Sequence, residues 1–223
     1  MHVFKTNFNK NPNVGLYGFA TDEYCLLGLD VPEKYARHIE GALHVPVHRM
    51  NVCGTSLLGV FCAGNNNCLL IPNIVFKSEL RKLEHLKIKN RIIETEHTAL
   101  GNNILANDFG CIASGDFTAS ARQKISNALC VEVEAGTIAK YKTVGSFAVA
   151  NNKGCIAHLE SSRLEIRKIE KLLAVKCTPT TINFGSPYLK SGIIANSKGF
   201  VIGDDTGPVE INEVDRAFGF LKY

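Results

Sequence analysis

The chain has 223 residues, 45% of them hydrophobic, and a net charge of +4, a globular balance that supports a packed core. No apolar run approaches the roughly 18 to 20 residues a membrane span requires, and MHVFKTNFNKNPN at the start lacks the apolar stretch of a secretion signal; a cytosolic protein with no membrane contact is expected. The mild charge falls short of the basic excess of a protein that holds nucleic acid chiefly through phosphates, and the eight cysteines contain no CxxC pair, which argues against zinc and, in a reducing compartment, against disulfides.

In chain order, HVFKTNF (2–8) reads as a strand, followed by a hairpin around ATDEYCLLG (20–28). PEKYARHIEGAL then has a helical pattern, and VPVHRMNV (45–52) a strand pattern. The same series recurs: a hairpin around AGNNNCLLI (63–71), the helix SELRKLEHL and the strand IKNRIIETE (88–96). It recurs again with ANDFGCIAS (106–114), TASARQKISNAL and VEVEAGTIA (131–139), then with ANNKGCIAH (150–158), SSRLEIRKIEKLL and VKCTPTTINF (175–184). A fifth pass has ANSKGFVIG (195–203) and PVEINEVDRAFGFL but no closing strand. Asn and Gly in NNKG and NDFG are expected to supply the positive φ angles of tight hairpin turns. Pro32 and Pro208 suit the first turn of a helix.

Anchored on Ala20, Ala63, Ala106, Ala150 and Ala195, the repeat steps by 43, 43, 44 and 45 residues. Glycine stands four or five residues before the anchor in four copies (Gly15, Gly59, Gly101, Gly145), and Gly192 stands three before it in the fifth. A strand-strand-helix-strand unit of this size cannot bury its apolar face alone, so neighbours must supply the rest of the core. The expected architecture is a fivefold pseudosymmetric α/β propeller forming one domain over 1–223, with units 9–52, 53–96, 97–140, 141–184 and 185–223 plus 1–8. The N-terminal strand completes the fifth unit and closes the ring.

Within that frame Cys25, Cys68, Cys111 and Cys155 share one position that Phe200 fills in the last copy, which makes them small core residues rather than nucleophiles or ligands. HVPVH would place His44 and His48 on one side of a strand, without a third metal ligand nearby. GLYG follows no dinucleotide fingerprint, and there is no Walker-type loop or GxSxG, so no catalytic, cofactor-binding or metal-binding residue is assigned.

The copies VGLYGFATDEYCLLG (14–28), LLGVFCAGNNNCLLIPN (57–73), TALGNNILAND (98–108) and VGSFAVANNKGCIAHL (144–159) resemble, in order and spacing, the translation initiation factor 6 family of archaea and eukaryotes. The resemblance implies a pentein propeller without catalysis or cofactor. It further implies binding to the joining face of the large ribosomal subunit, against ribosomal proteins near the sarcin-ricin loop with rRNA at the rim. The small subunit is then excluded sterically; a part in large-subunit biogenesis is a further implication. Eukaryotic members carry a C-terminal tail that this sequence lacks, which favours an archaeal-type member; a monomer without a small-molecule substrate is expected. TALGN maps onto 98–102 and marks Asn102, with Gly101 beside it; Val60, Ser146 and Leu16 lie at the corresponding places in other copies, and Arg91 leads toward them. The alternative is a guanidine-modifying enzyme of the same fold, which would need a Cys nucleophile near the C-terminus; here the last Cys is Cys177 and the last His is His158.

Overall fold

A computed structural model describes residues 1–221; the final two positions of the fifth repeat lie outside the described residues. The fold consists of five three-stranded sheets. In the first, Gly18–Ala20 runs antiparallel to the central Cys25–Leu27, which pairs in parallel with Val47–Arg49. The pattern repeats with Ala63–Gly64, Leu69–Pro72 and Asn90–Ile93, then with Ile104–Ala106, Gly110–Ser114 and Glu132–Gly136. Ala148–Ala150, Cys155–His158 and Cys177–Thr180 form the fourth sheet. In the fifth, Ile193–Ala195 and Phe200–Gly203 are joined by Val3–Thr6, in the register Val3↔Phe200. The first strand of the chain therefore supplies the parallel partner that the last unit lacks, as expected.

Five outer helices, Ala36–Leu43, Lys77–His85, Ala119–Leu129, Arg163–Leu173 and Pro208–Ala217, follow the central strands. Their starts are written in the sequence. Thr118 Oγ1 accepts the Ala121 N–H at 3.1 Å, Ser162 and Glu165 form a reciprocal capping box, and Pro208 sits where no intrahelical N–H is required. Pro32 instead precedes a short 3-10 turn, Glu33–Tyr35.

No unit closes its core alone. The buried apolar residues fall into five clusters, each built from one unit's own sheet and helix together with residues of the preceding unit's sheet. In one, Leu70 and Ile93 of the second unit pack with Ile125 and Leu129 of the third. In another, Ile194 and Val201 of the fifth pack with Ile39 and Leu43 of the first. Removing one unit would expose two such clusters, so closure of the ring is what buries the apolar faces.

Each first strand is preceded by a single helical turn that periodicity did not reveal: Val14–Tyr17, Leu58–Phe61, Leu100–Asn103, Val144–Phe147 and Leu189–Gly192. These turns gather around the axis, and their glycines do the packing. A Cβ on Gly59 would overlap the carbonyl oxygen of Gly15, one on Gly101 that of Gly59, and one on Gly145 that of Gly101.

Three readings of the sequence need correction. The pairing Gly64↔Leu69 matches Ala20↔Cys25, Ala106↔Cys111 and Ala195↔Phe200. The second copy is thus anchored on Gly64 rather than Ala63, and its core position is Leu69 rather than Cys68. The core character of the position stands, because Cys25, Leu69, Cys111, Cys155 and Phe200 are all buried.

Second, the NDFG and NNKG turns contain no positive φ. Asn107 Oδ1 instead accepts the N–H groups of Phe109 and Gly110, an Asx-type turn. Gly110 is glycine because a Cβ there would overlap the Leu172 carbonyl of the neighbouring helix. Third, His44 is not in a strand. It ends the helix Ala36–Leu43 in the left-handed region at φ 52°, while His48 lies mid-strand.

Candidate functional site

The axis has two ends of different chemistry. At the hairpin end, one residue per unit donates its backbone N–H to the next unit's side chain. Asp22 donates to Asn66 Oδ1, Asn66 to Asp108 Oδ1, Asp108 to Asn152 Oδ1 and Asn152 to Ser197 Oγ. The Asn66 and Asn152 amides also donate to Asp108 Oδ2 at 2.6 and 2.7 Å. This end is laced together by those bonds around a cavity of about 40 Å³, and among the described residues none of its buried side-chain polar atoms lacks a partner.

The other end is open. The second residue of each axial turn is Gly15, Gly59, Gly101, Gly145 or Lys190, and the third is Leu16, Val60, Asn102, Ser146 or Ser191. The four glycines are buried, whereas all five third residues are partly exposed. These five residues ring a basin of about 500 Å³. Beneath it lies a narrow channel of about 50 Å³, walled largely by glycine and alanine.

The ring is apolar on two adjacent units, at Leu16 and Val60, and polar on the next three, at Asn102, Ser146 and Ser191. Ser191 donates to the Tyr188 carbonyl and to Asn13 Oδ1. Between the fourth and fifth units Tyr141 stacks on Phe147 at 4.4 Å, and Phe147 meets Tyr188 at 5.2 Å, leaving both tyrosines exposed at the rim.

The structure thus brings four of the sequence-derived candidates, Leu16, Val60, Asn102 and Ser146, to one position on one surface. Gly101 is buried beneath Asn102 and can serve a partner only by letting the turns close. Arg91 is exposed on the outer strand Asn90–Ile93, paired with Leu70, and does not line the basin.

Sequence reasoning missed Lys190. It occupies the glycine position of the fifth copy, five residues before Ala195, as Gly145 is five before Ala150. Aligning Gly192 to that position hid it, although a uniform count of five would have exposed it.

Burial pulls the Lys190 ammonium below the ordinary lysine value, against a smaller opposing effect of Cys62. Burial in turn raises the Cys62 thiol far above the usual range. The one thiol lining the channel is therefore protonated at neutral pH and a poor nucleophile.

The model of the eIF-6 family matches residues 3–217. The chain belongs to that family. This eIF-6 family chain is 36% identical to translation initiation factor 6 of Thermococcus onnurineus, the match covering 99% of the chain and 100% of the relative. It is 34% identical to the factor of Pyrococcus horikoshii, with the same coverage, and 33% identical to that of Haloquadratum walsbyi over 99% and 98%.

Among solved structures it is similar to a dimethylarginine dimethylaminohydrolase bound as an adduct with S-methyl-L-thiocitrulline. There the TM-score is 0.53 at 14% identity, covering 75% of this chain and 69% of that one. The Pseudomonas aeruginosa enzyme complexed with citrulline gives a TM-score of 0.50 at 12% identity, covering 74% and 67%. These likenesses establish the pentein fold of the eIF-6 chain. Among its described residues, no helix is long and apolar enough to cross a membrane.

Proposed function

We propose that this chain is a non-catalytic, cytoplasmic factor that docks the open end of its axis on the joining face of the large ribosomal subunit and sterically keeps the small subunit away. The observation that carries the reading is the ring of partly exposed third residues in a family of translation initiation factors. The side chains of Asn102 and Ser146 make no hydrogen bond among the described residues, so both are available to a partner.

The mixed ring suits a protein surface better than a phosphate track. Leu16 and Val60 offer apolar area, the amide and hydroxyls offer directional bonds, and Lys190 is the basin's single charge. Ribosomal protein is accordingly the principal contact, with rRNA at the rim, where exposed Tyr141 and Tyr188 can stack.

The test is sedimentation with separated ribosomal subunits. The chain should travel with the large subunit and not with the small one. Travel with neither, at concentrations where the chain is folded, would end the proposal.

A further inference from the structure

Four of the five axial turns carry glycine where the backbones meet, and a side chain at three of those glycines would strike the preceding turn and at the fourth, Gly15, the Lys190 carbonyl. The fifth carries Lys190, a residue that lines both the channel and the basin above it. Among the described residues the Lys190 side chain makes no hydrogen bond or ion pair; its ammonium lies 5.9 Å from the centre of the Phe19 ring. Among the described residues no aspartate or glutamate lines either the channel or the basin.

The ionisable group that acts against burial at Lys190 is Cys62, and burial keeps its thiol protonated. A partly desolvated ammonium without a counter-charge is unfavourable in the free protein, and that cost is relieved when an anion arrives.

We propose that Lys190 is the receptor for a single carboxylate, an acidic side chain or a chain terminus, presented by the protein that docks on the basin. The inference rests on the ribosome-docking reading and deepens it. A carboxylate fits better than rRNA because among the described residues no second lysine or arginine lines the basin, whereas a nucleic-acid backbone presents charges in series and is held by several cations. Asn102 and Ser146, on the same basin and unpartnered, can donate to the lone pairs that one ammonium leaves free.

The probe is the purified large subunit, treated after docking with a carbodiimide that couples amines to carboxylates in contact. The expected product joins Lys190 to an aspartate, a glutamate or the C-terminus of a ribosomal protein. Lys190→Met and Lys190→Gly should abolish it and weaken binding tenfold or more. Lys190→Gly reinstates the residue of the other four copies, and its thermal midpoint should be at or above that of the parent.

Parent-like affinity in both folded variants overturns the inference, as does a protein cross-link that bypasses Lys190. Weakened binding with no protein cross-link, and a log–log salt slope reduced by about one, would assign Lys190 to an rRNA phosphate and also overturn it. If the parent chain does not cosediment with the large subunit, the docking reading itself falls and takes this inference with it.

Discussion

Ser197 donates its backbone N–H to the Asp22 carboxylate at 2.7 Å, joining residues 175 apart in the sequence. That bond completes a five-membered cycle in which every unit holds the next. A second ladder runs beside it and is incomplete. Asn65 Nδ2 donates to the Asn107 carbonyl, Asn107 to that of Asn151, Asn151 to that of Asn196, and Asn196 to that of Thr21. Thr21 has no amide with which to reach the Asn65 carbonyl.

Thr21→Asn should supply that missing rung. Thr21 Oγ1 accepts the N–H groups of Glu23 and Tyr24 as Asn65 Oδ1 accepts those of Asn67 and Cys68, so an asparagine can keep the turn while adding a donor. The expected gain is about 0.5–1.5 kcal/mol, the net worth of one added hydrogen bond. Denaturant midpoints check it; an unchanged or lower midpoint means that the first and second units do not close as their neighbours do.

Asn107→Ala makes the opposite test. It removes the donors to the Asn151 and Leu173 carbonyls in a buried site and the acceptor of the Phe109 and Gly110 N–H groups in the turn. A loss of at least about 2–4 kcal/mol is expected, the two buried carbonyls alone costing roughly 1–2 kcal/mol each. Because the clusters are shared between units, the loss should appear in one cooperative transition rather than as separate melting of the third unit.

Much of this scaffold was legible in the sequence because its cause is local. The Asn-x-x-Gly turns, the helix starts at Thr118, Ser162 and Pro208, and the missing last strand all leave a mark within a few residues. What escaped depends on contacts between units. The axial turns are only four residues long and leave no periodic signal. Gly110 is fixed by a carbonyl of the next unit's helix, not by its own φ. The Ala63 anchor in the second copy was off by one because Ala63–Gly64 offers two small residues where the other copies offer one alanine. That slip also misassigned Cys68. At the site, the repeat located four members of the ring; the fifth, Ser191, and Lys190 before it went unseen because Gly192 was aligned in their place, and Arg91 was drawn in by sequence proximity alone.

The acid limb of stability should depend on two glutamates that each tie a turn to a helix start. Glu165 accepts the N–H groups of Lys140 and Ser162, and Glu210 those of Phe184, Gly185 and Gly207. Burial alone would raise both carboxyls, but these hydrogen bonds outweigh it and hold them below the usual value. A folded pKa below the unfolded one gives stability that is present above the unfolded pKa and lost as pH falls through the folded one. Glu165→Gln with Glu210→Gln should therefore flatten the fall in melting temperature below about pH 5. An acid limb as steep as the parent's would show that these carboxylates do not carry it.

Thiol accessibility tests the core assignment. Cys130 is exposed and Cys53 partly so, while Cys25, Cys62, Cys68, Cys111, Cys155 and Cys177 are buried. Burial pushes Cys25 up to about 12, and Cys53 reaches about 12 from burial with Glu79 adding to it. A thiol-specific reagent at neutral pH should modify Cys130 first and Cys53 slowly, with the other six appearing only on unfolding. Early modification of Cys111 or Cys155 would contradict the packed position they share with Phe200.

The central claim concerns the open end of the axis, and a subunit-joining assay read by light scattering addresses it most directly. Small and large subunits are mixed with stoichiometric parent protein or with Asn102→Asp, whose melting temperature should stay near the parent's because the Asn102 side chain makes no hydrogen bond among the described residues. The account predicts that the parent suppresses joining and that Asn102→Asp suppresses it substantially less. Unimpaired joining in the presence of the parent, or equal suppression by the folded variant, would contradict it.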